Sequence, residues 1–72
     1  MDVNVFYENI GKKIKQLREE RHLTQEALAE KSGISQDYLG KIEVCINRPG
    51  LKTIYKLSVA LNIDPYELLK FN

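Results

Sequence analysis

The segment 35–42 combines polar side chains with two aliphatic ones. Leu39 and Ile42 are three positions apart, so in a helix they share a face that packs on a core. The side chains left on the outside are those of Ser35, Gln36, Asp37 and Lys41. A carboxamide matches adenine because it donates and accepts together, a lysine donates to guanine or phosphate, and a carboxylate accepts from cytosine. This face therefore offers hydrogen bonds to base edges, with Gln36 as its best single reader.

The residues just before this segment provide the turn of a helix-turn-helix. Ala29 lets two helices cross closely, where a larger side chain would push them apart. Gly33 adopts a positive φ at low cost, so the chain can leave one helix and turn sharply into the next. The spacing over residues 24–43 predicts a helix-turn-helix and makes double-stranded DNA the leading candidate partner.

The chain resembles the lambda-repressor and Cro-like (XRE) helix-turn-helix family in the run Leu-Thr-Gln-Glu-Ala-Leu-Ala-Glu-Lys-Ser-Gly-Ile-Ser, which Lys-Ile-Glu and then Arg-Pro follow. The similarity extends from about Ile10 to Leu69. It implies an all-α fold, a compact five-helix bundle of the lambda-repressor-like DNA-binding type. It also implies that the helix beginning at Ser35 enters the major groove. We expect residues 1–72 to form a single helix-turn-helix domain.

The resemblance assigns base readout to the start of the recognition helix. The matching positions in this chain are Ser35, Gln36, Asp37 and Lys41. For Ser35 the alternative is helix capping alone, and for Asp37 it is an interaction with the helix dipole. Lys41 reaches either a guanine or a nearby phosphate, and the sequence does not separate the two.

Phosphate contacts are expected on both sides of this helix. The family counterpart of Gln25 holds a phosphate at the free N–H groups that begin the second helix. Tyr38 lies beside the base-reading face and either packs on the sugar-phosphate backbone or shields the core. A second phosphate clamp is expected at the start of the fourth helix, from Asn47, Arg48 and Lys52.

One ion pair also follows from the resemblance. The family pairs an arginine at the position of Arg18 with a glutamate at the position of Glu43. A bidentate bridge between them would tie the first helix to the end of the third. We therefore expect the pair to have a structural role.

Apolar periodicity indicates five helical segments. The spacing from Phe6 onward predicts a first helix over about 5–21. Gly11 within it indicates either close packing of another element or a simple tolerated glycine. The fourth helix is expected to turn inward the side chains of Leu51, Ile54, Leu57 and Leu61.

Three helices carry start signals. Thr24 and Ser35 are expected N-caps, each between aliphatic residues that form a hydrophobic staple. Asp64 is expected to begin the fifth helix in the same way. Pro65 would then take its first position, and Glu67 would complete a capping box.

The chain departs from the family pattern after Lys-Ile-Glu. The family continues with a polar residue and a glycine, whereas this chain has Val44, Cys45 and Ile46. The apolar run predicts either a dimer contact or packing in the core or a loop. Cys45 is interpreted as an inert small hydrophobe, with oxidant sensing or an intersubunit bridge as the alternative.

Composition and charge set further limits. Seventy-two residues allow one domain with a small core, which excludes a large catalytic cleft. One histidine, one cysteine and no paired carboxylates provide neither a catalytic triad nor a metal-ligand set. We expect no enzyme activity, cofactor, metal or small-molecule effector. The net charge of +1 means that a DNA-binding surface requires charge segregation, and a solvated surface of mixed sign is the alternative.

No apolar run approaches the length that spans a bilayer, and the first residues lack the features of a secretory signal. We therefore expect no membrane partner and a cytoplasmic location.

Two hypotheses of function follow. The first is a sequence-specific transcriptional regulator that binds DNA as a homodimer, because one small domain has few base contacts. Its dimer interface is expected among Phe6, Tyr7, Tyr66, Leu69 and Phe71, unless these residues pack in the core. The second is a protein–protein interaction module on the same fold, antitoxin-like or binding the partner of a regulator.

Overall fold

The computed structural model describes residues 1–71, which form four α-helices and one short 3₁₀ helix. The α-helices are α1 (Val3–Glu20), α2 (Gln25–Ser32), α3 (Gln36–Glu43) and α4 (Leu51–Leu61). The 3₁₀ helix, η1 (Pro65–Leu69), follows α4. The predicted all-α class is confirmed for this range. None of its helices is both long and apolar enough to cross a membrane.

The predicted five-helix bundle is not confirmed, because the segment after Asp64 winds as a 3₁₀ helix. The backbone N–H of Glu67 donates to the backbone carbonyl of Asp64 at 2.9 Å, which is the i→i+3 bond of a 3₁₀ turn. The Asp64 carboxylate was expected to accept that same N–H, and it makes no capping bond. The predicted capping box therefore does not form.

The other helix starts follow from their capping residues. Thr24 and Ser35 each accept the N–H of the residue three positions on, at 3.0 Å. The Asp2 carboxylate accepts the N–H of Val5 at 2.9 Å. Helix α1 therefore begins at Val3, slightly earlier than predicted.

The turn between α2 and α3 has the geometry that the sequence predicts. Gly33 ends α2 with a φ of 74°, in the left-handed region that a glycine enters without strain. The N–H of Ile34 then donates back to the carbonyl of Ala29 at 3.1 Å. The turn thus satisfies the end of α2 and directs the chain into α3.

Every helix contributes aliphatic side chains to one core. The buried members are Ile10, Ile14, Leu28, Ala29, Leu39, Ile42, Ile54, Leu57, Leu61 and Leu68. Gly11 lies where the α1 backbone meets the end of α3. A Cβ added there would stand 2.5 Å from the carbonyl oxygen of Ile42 and 3.0 Å from that of Glu43. Of the two interpretations of Gly11, close packing is therefore correct.

Leu51 does not join this core, which corrects one predicted position. Ile54, Leu57 and Leu61 are buried as expected, whereas Leu51 is 84% exposed. Leu51 is the first residue of α4, and Cα–Cβ bonds tilt toward the N-terminus of a helix. Its side chain therefore points past the N-terminal end of α4, beyond the turns that pack on the core.

Three of the aromatic residues expected at a dimer interface pack on one another instead. The Phe6 ring meets the rings of Tyr7 and Phe71 edge-on, with centroids 5.3 and 5.8 Å apart. All three are half-buried against the core. Tyr66 and Leu69 remain exposed.

Candidate nucleic-acid interface

The outward side of α3 carries the four residues that were predicted to read bases. Leu39 and Ile42 are buried beneath it. The exposed residues are Ser35, Gln36, Asp37 and Lys41. The Ser35 hydroxyl oxygen accepts the N–H of Tyr38 at 3.0 Å, so the hydroxyl proton remains free to donate. Gln36, Asp37 and Lys41 line one hollow, whereas Ser35, the N-cap of α3, is exposed outside that hollow.

Two of these four residues are paired with each other. Lys41 Nζ lies 3.0 Å from Asp37 Oδ2, across one helical turn. Both side chains are well exposed, and an exposed pair of this kind contributes little to stability. Water or a base edge can therefore replace the partner of either residue at small cost.

A shallow hollow runs along this surface between α2 and α3. It is lined by Gln25, Gln36, Asp37, Gly40, Lys41 and Val44. Gln36, Gly40 and Val44 lie at intervals of four, so they follow one edge of α3. Gly40 leaves the floor of the hollow open, with Gln25 Oε1 3.4 Å from where its Cβ would stand. Sequence reasoning did not place Val44 on this surface, although its spacing from Gly40 was the available signal.

A buried polar network supports this surface from below. The Arg18 guanidinium donates to both carboxylate oxygens of Glu43, from Nε at 2.8 Å and from Nη2 at 3.1 Å. Arg18 Nη1 also donates to the backbone carbonyl of Leu23 at 2.8 Å. Gln25 Nε2 donates to Glu43 Oε1 at 3.0 Å. We call these residues, Arg18, Gln25 and Glu43, the polar network.

The network fixes α3 relative to α1 and α2. Its ion pair is nearly inaccessible, with the Arg18 side chain 10% exposed and that of Glu43 1% exposed. The hydrogen bond to Glu43 raises the pKa of Arg18, so the guanidinium stays charged. The family resemblance implied the pair of Arg18 and Glu43, but it did not predict the hydrogen bond from Gln25 to Glu43. One amide hydrogen of Gln25 is committed to Glu43, which leaves the other hydrogen and the oxygen toward the hollow.

The residues proposed to contact phosphate differ in their freedom. Tyr38 is half-buried, and its hydroxyl lies 3.5 Å from Thr53 Oγ1. The backbone N–H of Asn47 donates to the carbonyl of Lys41 at 3.2 Å, which holds the loop close to α3. Lys52 is exposed in the first turn of α4.

Arg48 is tethered to α1. Its guanidinium lies over the Tyr7 ring, 4.7 Å from the centroid, and donates to Asn4 Oδ1. Asn4 and Tyr7 are three residues apart, so they present one face of α1 to the loop. Arg48 is exposed but held in position, a role that the sequence did not predict.

A sequence profile of the helix-turn-helix family matches residues 14–68. The chain belongs to the helix-turn-helix family of DNA-binding transcriptional regulators. The matched range contains α2, the turn and α3, as the lambda-repressor and Cro-like resemblance predicted. That prediction of the family is confirmed.

Solved helix-turn-helix structures share this fold. The restriction-modification controller protein C.AhdI from Aeromonas hydrophila superposes with a TM-score of 0.84 at 37% identity, over 86% of this chain and 94% of that one. A structure of SinR, the master regulator for biofilm formation, in complex with DNA superposes with a TM-score of 0.80 at 35% identity. That match covers 85% of this chain and 98% of the SinR chain.

Curated relatives that are similar in sequence are also helix-turn-helix transcriptional regulators. An uncharacterized transcriptional regulator of Sinorhizobium fredii, y4dJ, is 38% identical over 60 residues, which are 83% of this chain and 78% of y4dJ. SinR of Bacillus subtilis is 36% identical over 61 residues, which are 83% of this chain and 55% of SinR. The chain thus spans most of y4dJ and about half of SinR.

The departure from the helix-turn-helix pattern after α3 has a clear structural form. Cys45 has a φ of 63°, the left-handed conformation for which the family uses glycine at this position. Val44 is 64% exposed and Ile46 is 69% exposed. Core packing is therefore the wrong interpretation for these two residues, and the apolar run forms a surface beside α3.

Two lysines of α1 lie apart from the hollow between α2 and α3. Lys12 and Lys13 line a separate hollow, together with Lys70. The charge on the recognition surface itself is mixed, because Asp37 accompanies Lys41. Within residues 1–71 no cluster of three histidine, cysteine or acidic side chains has the arrangement of a metal site.

Proposed function

We propose that this chain is one DNA-binding domain that reads double-stranded DNA sequence-specifically, with α3 in the major groove, and that it acts as a homodimeric transcriptional regulator. The observation that carries the proposal is the exposed polar face of α3, fixed from behind by the polar network. The similarity to SinR, which has been solved in complex with DNA, supports it.

The base contacts are assigned to the exposed side chains at the start of α3. Gln36 offers the donor and acceptor pair that adenine requires. Lys41 donates to guanine when it leaves Asp37, and Asp37 then accepts from cytosine. Ser35 contributes its free hydroxyl proton.

The phosphate contacts position α3 without reading sequence. Gln25 begins α2, where free backbone N–H groups and the helix dipole favour an anion. Further phosphate contacts are assigned to Tyr38 on α3, to Asn47 in the loop after α3 and to Lys52 in the first turn of α4. Arg48 is exposed while Tyr7 and Asn4 hold it, and a phosphate contact is assigned to its other guanidinium N–H groups.

Homodimerisation follows from the small number of base contacts. A single recognition helix reads too few base pairs to select one site in a genome. Two copies related by a two-fold axis would address half-sites about one helical turn apart. The operator is therefore expected to be palindromic.

Selection of bound duplexes from a random DNA library, with the purified chain at low salt, tests the proposal. We expect a palindromic motif with half-sites about 10 base pairs apart. Gln36→Ala should relax the preference at one position in each half-site, at a cost of about 1 to 3 kcal/mol of discrimination. Gln16→Ala is the matched control, because Gln16 lies on α1 and its amide donates to Glu20. Failure to enrich any sequence would contradict the proposal.

A second candidate, a protein-interaction module on the same fold, is favoured by the exposure of Val44 and Ile46. The two candidates differ in their dependence on salt. Phosphate-led binding weakens steeply as salt rises, whereas apolar association changes little. A titration of the enriched duplex from 50 to 200 mM salt, which spans roughly the range over which phosphate contacts weaken, separates them.

A further inference from the structure

One face of α1 runs along the end of the recognition helix and the loop after it. Its members, separated by three, four and seven residues, are Asn4, Tyr7, Gly11 and Arg18. Arg18 holds Glu43 at the end of α3, and Gly11 meets the backbone carbonyls there. Asn4 and Tyr7, at the N-terminal end of the same face, meet Arg48 in the loop. The contacts of this face are therefore all with α3 or with the chain that leaves it.

The loop that carries Arg48 is fixed on both sides of this residue. The backbone N–H groups of Ile46 and Asn47 both donate to the carbonyl of Lys41, at 2.8 and 3.2 Å. Pro49, the next residue along the chain, is buried. The position of the Arg48 backbone is thus set by α3 and the core, and the direction of its side chain is set by α1.

The two groups that hold the Arg48 side chain are both uncharged. Its guanidinium lies 4.7 Å from the centroid of the Tyr7 ring and donates to the amide oxygen of Asn4. The Tyr7 ring is itself held by an edge-on contact with Phe6, at 5.3 Å between centroids. Neither partner neutralises the positive charge of the guanidinium. A guanidinium has several N–H donors in one plane, so the donors beyond the one that Asn4 uses can bind an anion.

Ordering a side chain in advance strengthens the binding that depends on it. A long, flexible side chain loses rotamer freedom when it binds, and this loss weakens the interaction. The Tyr7 ring and the Asn4 amide order Arg48 already in the free chain. The loss therefore occurs on folding and not when a phosphate binds.

We propose that Tyr7 and Asn4 are positioning residues for DNA binding, because they hold Arg48 in the orientation in which it contacts a backbone phosphate. The Tyr7 ring supports the flat face of the guanidinium, and Asn4 fixes which way that plane is turned. The inference rests on the proposed function, in which Arg48 contacts phosphate. It extends that function to two residues of α1 that act through Arg48.

Proton NMR of the free chain tests the contact without DNA. Protons above an aromatic ring are shifted upfield, so the side-chain signals of Arg48 should lie upfield of their ordinary positions. Tyr7→Leu should remove this shift, whereas Tyr7→Phe, which keeps the ring, should retain it. Tyr55→Leu, which removes an exposed tyrosine on α4, is the matched control and should leave the Arg48 signals unchanged. Arg48 signals at ordinary positions in the unmodified chain would overturn the proposal.

Binding to a mixed-sequence duplex at low salt tests the positioning role, because phosphate contacts need no particular sequence. Tyr7→Leu should weaken binding about 2- to 5-fold, as expected for an exposed cation–π contact, and Tyr7→Phe should bind like the unmodified chain. Asn4→Ala should show a smaller loss. In an Arg48→Ala background neither Tyr7→Leu nor Asn4→Ala should weaken binding further. In a Lys52→Ala background, the matched control, both should keep their full effect.

This comparison of backgrounds separates positioning from a general structural defect. A structural defect caused by Tyr7→Leu would weaken binding equally whether or not Arg48 is present. A full effect of Tyr7→Leu in the Arg48→Ala background would therefore overturn the proposal, as would equal binding by Tyr7→Leu and the unmodified chain.

The salt dependence of the same binding tests the phosphate contact of Arg48. Arg48→Ala should reduce the slope of log affinity against log salt by about 0.9, the value for one phosphate contact on a duplex. Tyr7→Leu should leave the slope nearly unchanged, since the contact still forms from a less ordered side chain. An unchanged slope for Arg48→Ala would overturn the proposal, because Arg48 would then contact no phosphate.

The outcomes also separate this inference from the proposed function. If the random library yields a motif but Tyr7 and Arg48 show no coupling, the positioning role fails and sequence reading stands. If the library yields no motif while the coupling is present on the mixed-sequence duplex, sequence reading fails and the positioning role stands. Absence of binding to any duplex would overturn both.

Discussion

Polar side chains are buried behind α3, whereas apolar side chains are exposed along the outside of α4. The Glu43 side chain is 1% exposed, but Tyr55 is 62% exposed. Both distributions are the reverse of what a globular domain usually has. The polar network is complete within one copy, and no buried side-chain nitrogen or oxygen in residues 1–71 lacks a hydrogen-bond partner. Leu51, Tyr55 and Val59, which we call the α4 stripe, are instead more than half exposed on the outer face of α4.

This difference indicates that the two regions have different roles, one in positioning the recognition helix and the other in association. A buried ion pair stabilises only if all of its groups are satisfied, and it then holds its elements in one arrangement. Because its buried groups are all hydrogen-bonded, the polar network holds the recognition helix in one position relative to α1 and α2. Exposed apolar area is unfavourable until something covers it, so the α4 stripe favours association.

The largest expected effect is that of breaking the polar network. Arg18→Ala should lower the free energy of unfolding by about 3 to 5 kcal/mol, because it leaves Glu43 buried without its counter-charge. Urea denaturation followed by circular dichroism measures the loss. Lys15→Ala, an exposed cation on the same helix, is the control and should have little effect. Weakened DNA binding with an unchanged melting curve would show that Arg18 contacts DNA instead.

Two glycines on either side of the network should respond in opposite directions. Gly11→Ala should destabilise by about 1 to 3 kcal/mol, because the new Cβ meets the backbone carbonyl of Ile42. Gly40→Ala should stabilise by about 1 kcal/mol, because its Cβ meets only the Gln25 side chain at 3.4 Å and the helix gains propensity. Thermal melting of both variants checks the pair. Equal effects would mean that α1 does not press on α3 at Gly11.

Cys45 offers a smaller gain at the end of the recognition helix. Cys45→Gly should raise stability by about 0.5 to 1 kcal/mol, since glycine adopts the left-handed φ without strain but loses more chain entropy on folding. Cys45→Ala retains the Cβ and should show no such gain. Denaturant midpoints of the two variants under reducing conditions decide whether the backbone or the thiol matters. A gain from alanine alone would contradict the strain argument.

The smallest effect is expected on the α4 stripe in the monomer. At concentrations where the chain is monomeric, Val59→Ala should change the unfolding free energy by no more than about 0.5 kcal/mol, as for other exposed positions. Ile54→Ala on the same helix should cost about 2 to 5 kcal/mol, because Ile54 is buried. Melting temperatures that rise with concentration for the unmodified chain, and not for Val59→Glu, would link the stripe to association. A large loss from Val59→Ala in the monomer would place that side chain in the core.

Much of the fold was predictable because it depends on local chemistry. Thr24 and Ser35 cap α2 and α3 as expected, and Gly33 has the left-handed φ that its turn requires. Asp64 failed as a cap because a backbone carbonyl took the N–H that its side chain would have accepted. Hydrogen-bond competition of this kind depends on how the whole turn winds, and the residue pattern does not reveal it.

The candidate site was predictable in part for the same reason. Helical spacing correctly turned Leu39 and Ile42 inward, which left the polar residues of α3 outside. The engagement of Gln25 with Glu43 and the tether of Arg48 to Tyr7 join residues that are distant in sequence. Nothing local to either residue indicates its partner.

The sequence alone determined the family, the helix-turn-helix and the residues that α3 exposes, because capping, turn geometry and helical periodicity act over a few neighbouring residues. Only the tertiary structure decided that Leu51 projects from the core, that Gly11 touches α3 and that the outer face of α4 is an apolar stripe. Each of these three features depends on how the helices are positioned relative to one another. Burial is a property of packed elements and not of a residue type, so this level of description required the assembled fold.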